Sequence, residues 1–427
     1  MSDERTVPEG QVGRLLALGA LGVRTAAART LDPSGDGGAA AAADVLGTMR
    51  GLASKLGQMA SYVDGLVPQQ HRDAYEFALK MLQANAPKTK AALIRKVVEE
   101  QLGAKIPDLF SRWEDVPIAS ASIGQVHRAT LTDGQHVAVK VQHPGVAEAV
   151  EADLANATLI DEMAAQLGGR RFDSNVFADV VRARFREELD YTHEAANMRK
   201  FSQFHAGDAT IRIPEVKGAY STRRVLTTEL AFGRGFEDAC KAEEDERRAW
   251  AETMWRFVFK TKLLGGMFNA DPHPGNYVFG SAGEVTFLDF GCVQTLPEAR
   301  CQRLLELHRA VLSGSTERVD QAVTDILDAR PGPLEVRVRA FARECLLPLF
   351  ASPYRIDRAY AASLVEAIRE IGAISSAVED DEHFALPPEG LFINRLQFGF
   401  YSVLARLDVE VDYAAGERAF LNGGALR

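Results

Sequence analysis

Long apolar runs are missing. Nowhere in the 427 residues is there an uninterrupted stretch of the roughly 20 apolar residues that a bilayer-crossing helix needs. Any membrane contact is therefore expected to be peripheral. The opening Met1-Ser-Asp-Glu-Arg has no basic region leading into an apolar core, so it is not expected to be a secretory signal. Cysteine is scarce. The four present, Cys240, Cys292, Cys301 and Cys345, follow neither metal-ligand spacing nor the density of a disulfide framework, and they suit a reducing cytosol. Excess positive charge is lacking too. Forty-nine Lys and Arg against 59 Asp and Glu leave a net charge of -10. Phosphate backbones demand clustered cations, so nucleic acid is not expected as the main partner.

What is there is ordinary for a globular chain: 46% hydrophobic and 25% charged residues. The length suffices for two or three packed units. Leu15, Leu16, Leu18, Leu21 and Val23, with Arg14, Arg24 and Arg29 between them, form a short basic amphipathic stretch. Such a stretch either lies on a membrane surface or docks on the domain's own core. After the flexible break 32–38, an alanine-rich helix with Val45, Leu46, Met49, Leu52 and Leu56 at helical spacing carries Lys55-Leu56-Gly57-Gln58. A Gly inside a helix costs about 1 kcal/mol relative to Ala, which hints that a backbone or ligand approaches there. Two more helices are expected, over 69–84 and 88–102, the second stopped by Gly103.

Two acidic turns carry the chemistry. Asp271-Pro-His-Pro-Gly-Asn276 is followed, after a short apolar run, by Asp289-Phe290-Gly291. The first is good turn chemistry on its own. An Asp with an Asn five positions on, then Asp-Phe-Gly at the end of a strand, is also the acidic half of a kinase-type site. The residue types fit magnesium, which takes oxygen ligands, usually one or two carboxylates plus phosphates. Tyr277-Val-Phe279 and Val285-Thr-Phe-Leu288 read as strands joined by the turn 280–283, so both acidic turns should flank one hairpin. His273, between two prolines, reads as a rigid loop residue rather than a metal ligand.

The matching basic half lies upstream. A loop of small residues, Ala119, Ser120, Ala121 and Ser122, precedes a hairpin turn at Asp133-Gly134 and the strand His136-Val-Ala-Val-Lys140-Val. That is the order of a kinase small lobe, with nucleotide-covering loop, hairpin and Val-Ala-x-Lys strand. The usual Gly-x-Gly-x-x-Gly is absent, so altered nucleotide handling is expected. A helix over 146–167 and a long helix over 175–204 should follow. The second carries Glu187, Glu188, Asp190 and Glu194, with Glu187, Asp190 and Glu194 on one face. Lys140 is assigned to Glu194 as the strand-to-helix ion pair such a fold requires. Glu188 and Asp190 cannot share a face of a regular helix, so their roles stay open. Strands are expected at 211–214 and 224–230, with Glu229 to Ala231 as the hinge whose backbone would bind adenine. A helix over 242–264 then delivers the chain to the first acidic turn. Past Cys292 a helix over 297–312 leaves no room for a long activation segment, and no Ala-Pro-Glu follows. The remainder reads as helical, with 408–427 expected to fray. Gly399, between Phe398 and Phe400, has no evident role.

In this order of motifs the chain resembles the UbiB family of atypical kinases (the AarF or ADCK type). The elements are Lys55-x-Gly57-Gln58, Pro117-Ile-Ala-Ser-Ala-Ser122 with Ile123-Gly-Gln-Val-His127, Val137-Ala-Val-Lys140, Glu188-x-Asp190 with Glu194, Asp271 to Asn276, and Asp289-Phe-Gly291. They span roughly residues 14–312. The resemblance implies an α+β, protein-kinase-like bilobal fold: a helical extension over 1–110, a small lobe over 111–230 and a mainly helical large lobe over 231–427. It implies ATP and magnesium as cofactors and ATPase-type activity in support of isoprenoid quinone synthesis or lipid homeostasis. Lys55 and Gln58 would gate the pocket, and the helix bearing them would block the usual protein-substrate groove. Two departures stand out: Ser120 replaces one alanine of the Ala-rich loop, and the C-terminal transmembrane helices of some bacterial members are absent. The expected localisation is cytoplasmic with at most peripheral membrane contact, and the expected partners are ATP and a lipid or quinone precursor. Two other readings remain: a nucleotide-dependent lipid-binding scaffold with incidental turnover, and a small-molecule phosphotransferase.

Overall fold

The computed structural model describes residues 89–120, 123–154, 183, 186–327, 332–377 and 388–423. The segments carrying Arg14 to Arg29, Lys55, Gln58, Ala121 and Ser122, together with the helix expected over 69–84, lie outside the described residues. The described chain divides into two compact units, one holding residues up to Ala195 together with Glu215–Leu230, the other Ala196–Pro214 and Ala231–Arg427.

The described part of the first unit opens with α1 (Ala91–Leu102), which starts one turn later than the pattern suggested and is closed by Gly103. Ile94, Val97 and Val98 turn its apolar face to the core. The sheet is built from β1 (Phe110–Trp113), β2 (Ala119–Ser120), β3 (Gly124–Leu131), β4 (His136–Gln142) and β6 (Val225–Glu229), whereas β5 (Ile211–Arg212) belongs to the second unit. All pairings are antiparallel in the order β1-β3-β4-β6, with β2 also on β3. In β4 the period of two is clean. Val137, Val139 and Val141 are fully buried, while Ala138 and Lys140 take the other face. The valines meet α1 through Val98 and Ile94 in one core cluster. Helix α2 (Val146–Leu154) follows.

A polar row runs through this core. His127 is fully buried, and burial lowers its pKa, so it is the neutral imidazole. Its Nδ1–H donates to Glu114 O at 2.8 Å, which leaves Nε2 to accept from Gln125 Nε2 at 2.8 Å. Gln125 Oε1 in turn accepts from Thr89 N at 3.1 Å. The Ile-Gly-Gln-Val-His run is therefore a structural tie between β3 and the entrance to α1.

Helix α3 (Tyr191–Phe204) is shared by the two units, residues 191–195 with the first and 196–204 with the second. The continuous helix expected over 175–204 is not found in its described part. Residues 186–188 are helical, Leu189 turns, and α3 begins afresh at Tyr191. Asp190 is its N-cap: Oδ1 accepts from Thr192 N at 3.0 Å and from Thr192 Oγ1 at 2.6 Å. Glu187, Asp190 and Glu194 therefore do not share one helical face, and the like-charge stripe expected there does not exist.

The second unit is arranged on α4 (Glu244–Leu264), whose Trp250, Trp255, Phe257 and Phe259 are buried. Two short strands unseen in the sequence, β7 (Met267–Asn269) and β10 (Val293–Thr295), pair antiparallel, with Asn269 opposite Val293. The expected hairpin is β8 (Tyr277–Phe279) with β9 (Val285–Phe287), in register Tyr277 to Phe287, and β9 also pairs parallel with β5. Helices α5 (Glu298–Leu312), α6 (Thr316–Leu327), α7 (Pro333–Cys345), α8 (Arg358–Ala377) and α9 (Pro388–Leu407) follow. A last strand pair, β11 (Tyr354–Arg355) with β12 (Glu410–Val411), precedes α10 (Tyr413–Leu421). The end of the chain thus does not fray through its described part: Tyr413, Ala414, Glu417 and Phe420 of α10 are buried. Among the described residues, no helix is long and apolar enough to cross a membrane.

Candidate nucleotide and metal site

Lys140 projects from the face of β4 opposite the valine core. Its Nζ lies 2.9 and 2.8 Å from the two carboxylate oxygens of Glu194, one turn into α3. The side chains are 18% and 5% exposed, so the pair is largely withdrawn from water. Tyr191 supports it from below, with the Lys140 ammonium 5.1 Å from the ring centroid. This arrangement needs a glycine at the start of β3. A Cβ on Gly124 would stand 2.5 Å from Val141 O and 2.7 Å from the Tyr191 hydroxyl. Sequence reasoning found Lys140 and Glu194 but missed Tyr191, whose position is set only by the renewed start of α3.

Ser120 sits in β2 opposite Gln125, and Ala119 opposite Val126. Ser120 Oγ is buried and has no hydrogen-bond partner among the described residues. At the other edge of β4, the Glu229 N–H bonds Glu215 O at 2.9 Å and the Leu230 N–H bonds His136 O at 3.0 Å. Two of the three N–H groups of the expected hinge are thus already engaged, which leaves that of Ala231. Glu188 and Asp190 do not form a matched pair on α3. Glu188 ends the short helical segment before the turn at Leu189, and Asp190 caps α3.

In the second unit the acidic turns emerge from the same open end of the β8–β9 hairpin, where Leu288 N bonds Asn276 O at 2.9 Å. The Asp271 loop is closed on itself. His273 N bonds Asp271 O at 2.8 Å and Asn276 N bonds His273 O at 2.9 Å. His273 Nδ1 accepts from Gly275 N at 3.0 Å, a capping role that accords with a rigid loop residue. Asn276 Nδ2 donates to Asp271 O at 3.1 Å and to Asp271 Oδ2 at 3.3 Å. Its amide nitrogen is therefore fixed on Asp271, and its oxygen is the atom left for a cation. Beneath the loop, burial and the nearby Asp271 charge push the Tyr277 hydroxyl far up, so it stays neutral.

Asp289 makes an Asx turn, Oδ1 accepting from Gly291 N at 2.9 Å. Phe290 is fully buried, edge-on to Phe201 at 5.0 Å and to Phe257 at 6.3 Å, and its carbonyl accepts from Asn197 Nδ2 at 3.1 Å. One residue that sequence reasoning missed joins the two turns. Asn269 Nδ2 donates to Asp289 O at 2.5 Å, while its Oδ1 accepts from Asp271 N at 3.1 Å. The backbone adds Ala270 N to Cys292 O at 2.9 Å. The only signal for Asn269 in the sequence is a side chain able to donate and accept, two positions before the loop Asp.

Among the described residues, no group of three or more His, Cys, Asp or Glu is placed to hold a metal ion. A nucleotide-borne magnesium needs fewer, since phosphates complete its shell. The two turns offer the Asp289 carboxylate and the Asn276 side-chain oxygen as donors of that type.

A family model described as the ABC1 atypical kinase-like domain matches residues 81–323. A rat (Rattus norvegicus) protein named atypical kinase COQ8B, mitochondrial, is 29% identical over 434 aligned positions, covering 96% of this chain and 80% of that one. Caenorhabditis elegans atypical kinase coq-8, mitochondrial, is 31% identical over 350 positions, covering 74% of this chain and 45% of that one. The Arabidopsis thaliana protein ACTIVITY OF BC1 COMPLEX KINASE 7, chloroplastic, is 30% identical over 346 positions, covering 80% and 48%. The chain thus spans four fifths of the rat relative but only about half of the other two. A solved structure of Rv3197 with erythromycin, from Mycobacterium tuberculosis, superposes with a TM-score of 0.62 at 24% identity, over 97% of this chain and 99% of that one. That likeness concerns the fold, and it agrees with the α+β, kinase-like architecture read from the sequence.

Proposed function

Because the chain belongs to the ABC1 atypical kinase-like family, we propose that it binds ATP with magnesium and cleaves its terminal phosphoanhydride, in support of isoprenoid quinone synthesis or lipid homeostasis. The observation that carries this reading is the withdrawn Lys140–Glu194 pair. A lysine held on both carboxylate oxygens is oriented as a fixed point charge, the form in which a lysine grips phosphate. The quinone part rests on the resemblance and on relatives bearing the name coq-8.

The roles divide as follows. Lys140 would engage the α- and β-phosphates, with Glu194 keeping its ammonium in place. The buried Ser120 hydroxyl, without a partner among the described residues, would donate to a phosphate oxygen, a task the alanines beside it cannot perform. The Ala231 N–H would meet the adenine edge. Asp289 and the Asn276 oxygen would hold magnesium, which when bound neutralises phosphate charge and orients the γ-phosphoryl group. Asp271, bound through one oxygen to Asn276, would accept the proton of the attacking water or hydroxyl. Lys55 and Gln58 are assigned the gating of the pocket, and the basic stretch at Arg14 to Arg29 a peripheral membrane contact.

Thermal shift with ATP, with and without magnesium, on the wild type and on Asp289→Asn tests this. Magnesium-dependent stabilisation that Asp289→Asn loses is the expected result, since a ligand that binds only the folded state raises its stability. No shift with any nucleotide would overturn the enzymatic reading.

A further inference from the structure

Gly399 lies mid-way along α9 between Phe398 and Phe400, both buried. Its helical position does not explain a glycine, which costs about 1 kcal/mol relative to Ala there. The explanation lies across the contact. A Cβ built on Gly399 would stand 2.6 Å from Pro272 Cγ, 3.5 Å from Pro272 Cδ and 3.8 Å from Pro272 Cβ. The three heavy atoms nearest to that point all belong to the proline ring. Ordinary contact begins near 3.4 Å, so an added methyl group would have to displace the ring by close to an ångström.

The ring has little freedom to yield. Pro272 follows Asp271 directly, and the loop around it is closed by the His273 N–Asp271 O and Asn276 Nδ2–Asp271 O bonds. A proline ring has no rotamer to turn away with. On the other side α9 is fixed: Phe400 is 6.2 Å from the Trp255 ring on α4, and the Tyr401 hydroxyl donates to Cys345 O at 2.8 Å.

We propose that Gly399 is a positioning residue. The bare α9 backbone at this point is the seat of Pro272, and it sets the height of the Asp271 loop against the Asp289 turn. The inference rests on the proposed role of that loop, and it adds a residue nearly 130 positions away that acts only through Pro272. Displacement of that order at a reacting group costs up to about a hundredfold in rate.

The experiment is a size exchange. Gly399→Ala, Pro272→Ala and the double variant are compared in apo thermal stability, in magnesium-ATP hydrolysis, and in hydrogen exchange of the peptide spanning 270–276 without nucleotide. Pro272→Ala removes the Cγ atom that the new methyl group would strike. Gly399→Ala should lower kcat at least tenfold, speed exchange in the loop and leave the apo melting temperature within a few degrees. The double variant should regain exchange protection and most of kcat. Wild-type exchange and turnover in Gly399→Ala would overturn the proposal, and so would a double variant as defective as the single one. If the wild type hydrolyses no ATP, the proposed function fails on that result. The exchange data still decide whether Gly399 seats the loop.

Discussion

Lys140 and Glu194 stand 54 residues apart in sequence and meet through two hydrogen bonds of 2.9 and 2.8 Å, on side chains almost withdrawn from water. Removing one partner of such a pair leaves a buried charge uncompensated, which costs about 3–5 kcal/mol, whereas apolar replacement of both is often neutral. Glu194→Leu should therefore lower the denaturation midpoint sharply. The double variant Lys140→Met with Glu194→Leu should restore most of the stability but none of the nucleotide-induced thermal shift. Denaturation curves on the three proteins, with and without magnesium-ATP, separate the structural share of the pair from its functional one. A double variant that still binds magnesium-ATP like the wild type would remove Lys140 from the site.

Asn269 is the common partner of both acidic turns, donating to Asp289 O and accepting from Asp271 N. Ala at this position deletes both bonds. Asp deletes the donor and turns a carboxylate oxygen towards the Asp289 carbonyl, so it should be the worse of the two. Loss of a buried hydrogen bond that leaves its partner unmet costs about 1–3 kcal/mol. The magnesium concentration for half-maximal thermal shift should rise about tenfold in Asn269→Ala and further in Asn269→Asp. The reverse order would mean that charge near the metal matters more than the tie between the turns.

How far the sequence reached depended on the length of each signal. Lys140 was legible because β4 alternates over seven residues, which fixes both the strand and the face of the lysine. The β8–β9 hairpin was legible from two apolar runs around a four-residue turn. β7 and β10 were not, because three residues carry no period. The renewed start of α3 was hidden inside a helical pattern. Asp190 followed by Thr192 was the capping signal, but four acidic residues within eight positions read as one charged face. The burial of α10 was obscured by Glu417, a carboxylate on the face that turned out to be inside. Gly399 had no local reading because its reason, Pro272, lies more than a hundred residues away in sequence.

His205 gives a pH prediction with a definite sign. It is buried on Phe257, with a ring nitrogen 2.7 Å from Thr261 Oγ1. Burial, and then the Lys260 charge, lower its pKa to about 3, against the weaker pull of Asp208. The unfolded chain therefore binds a proton at His205 below about pH 6.5, while the folded chain does so only near pH 3. Its contribution is intact above pH 6.5 and is lost progressively as pH falls towards 3. Between pH 7.5 and pH 5 the wild type should lose about 2 kcal/mol more than His205→Gln. Urea titrations at the two pH values measure the difference. Equal losses in the two proteins would show that His205 is protonated when folded.

Glu417 settles what holds α10 in place. It is fully buried, accepts from Trp255 Nε1 at 3.2 Å, and lies 2.8 Å from His308 Nδ1. Lys262, also buried, feels the same carboxylate. Burial lowers the Lys262 pKa to about 8, and the Glu417 charge works against that fall. Glu417→Ala would leave the Trp255 and His308 donors unmet and Lys262 without its counter-charge, so it should destabilise by about 3 kcal/mol or more. Glu417→Gln keeps an acceptor for Trp255 and fills the same volume, so it should cost less, and the gap between the two variants measures the packing and hydrogen-bond share. Because α10 packs on α4, whose Phe257 in turn stacks on Phe287 of β9, the loss should also reach the hairpin that carries the acidic turns. Hydrogen exchange of the peptide over 277–289 should accelerate in Glu417→Ala. A variant whose hairpin exchange stays at the wild-type rate while its midpoint falls would make α10 a separately unfolding segment.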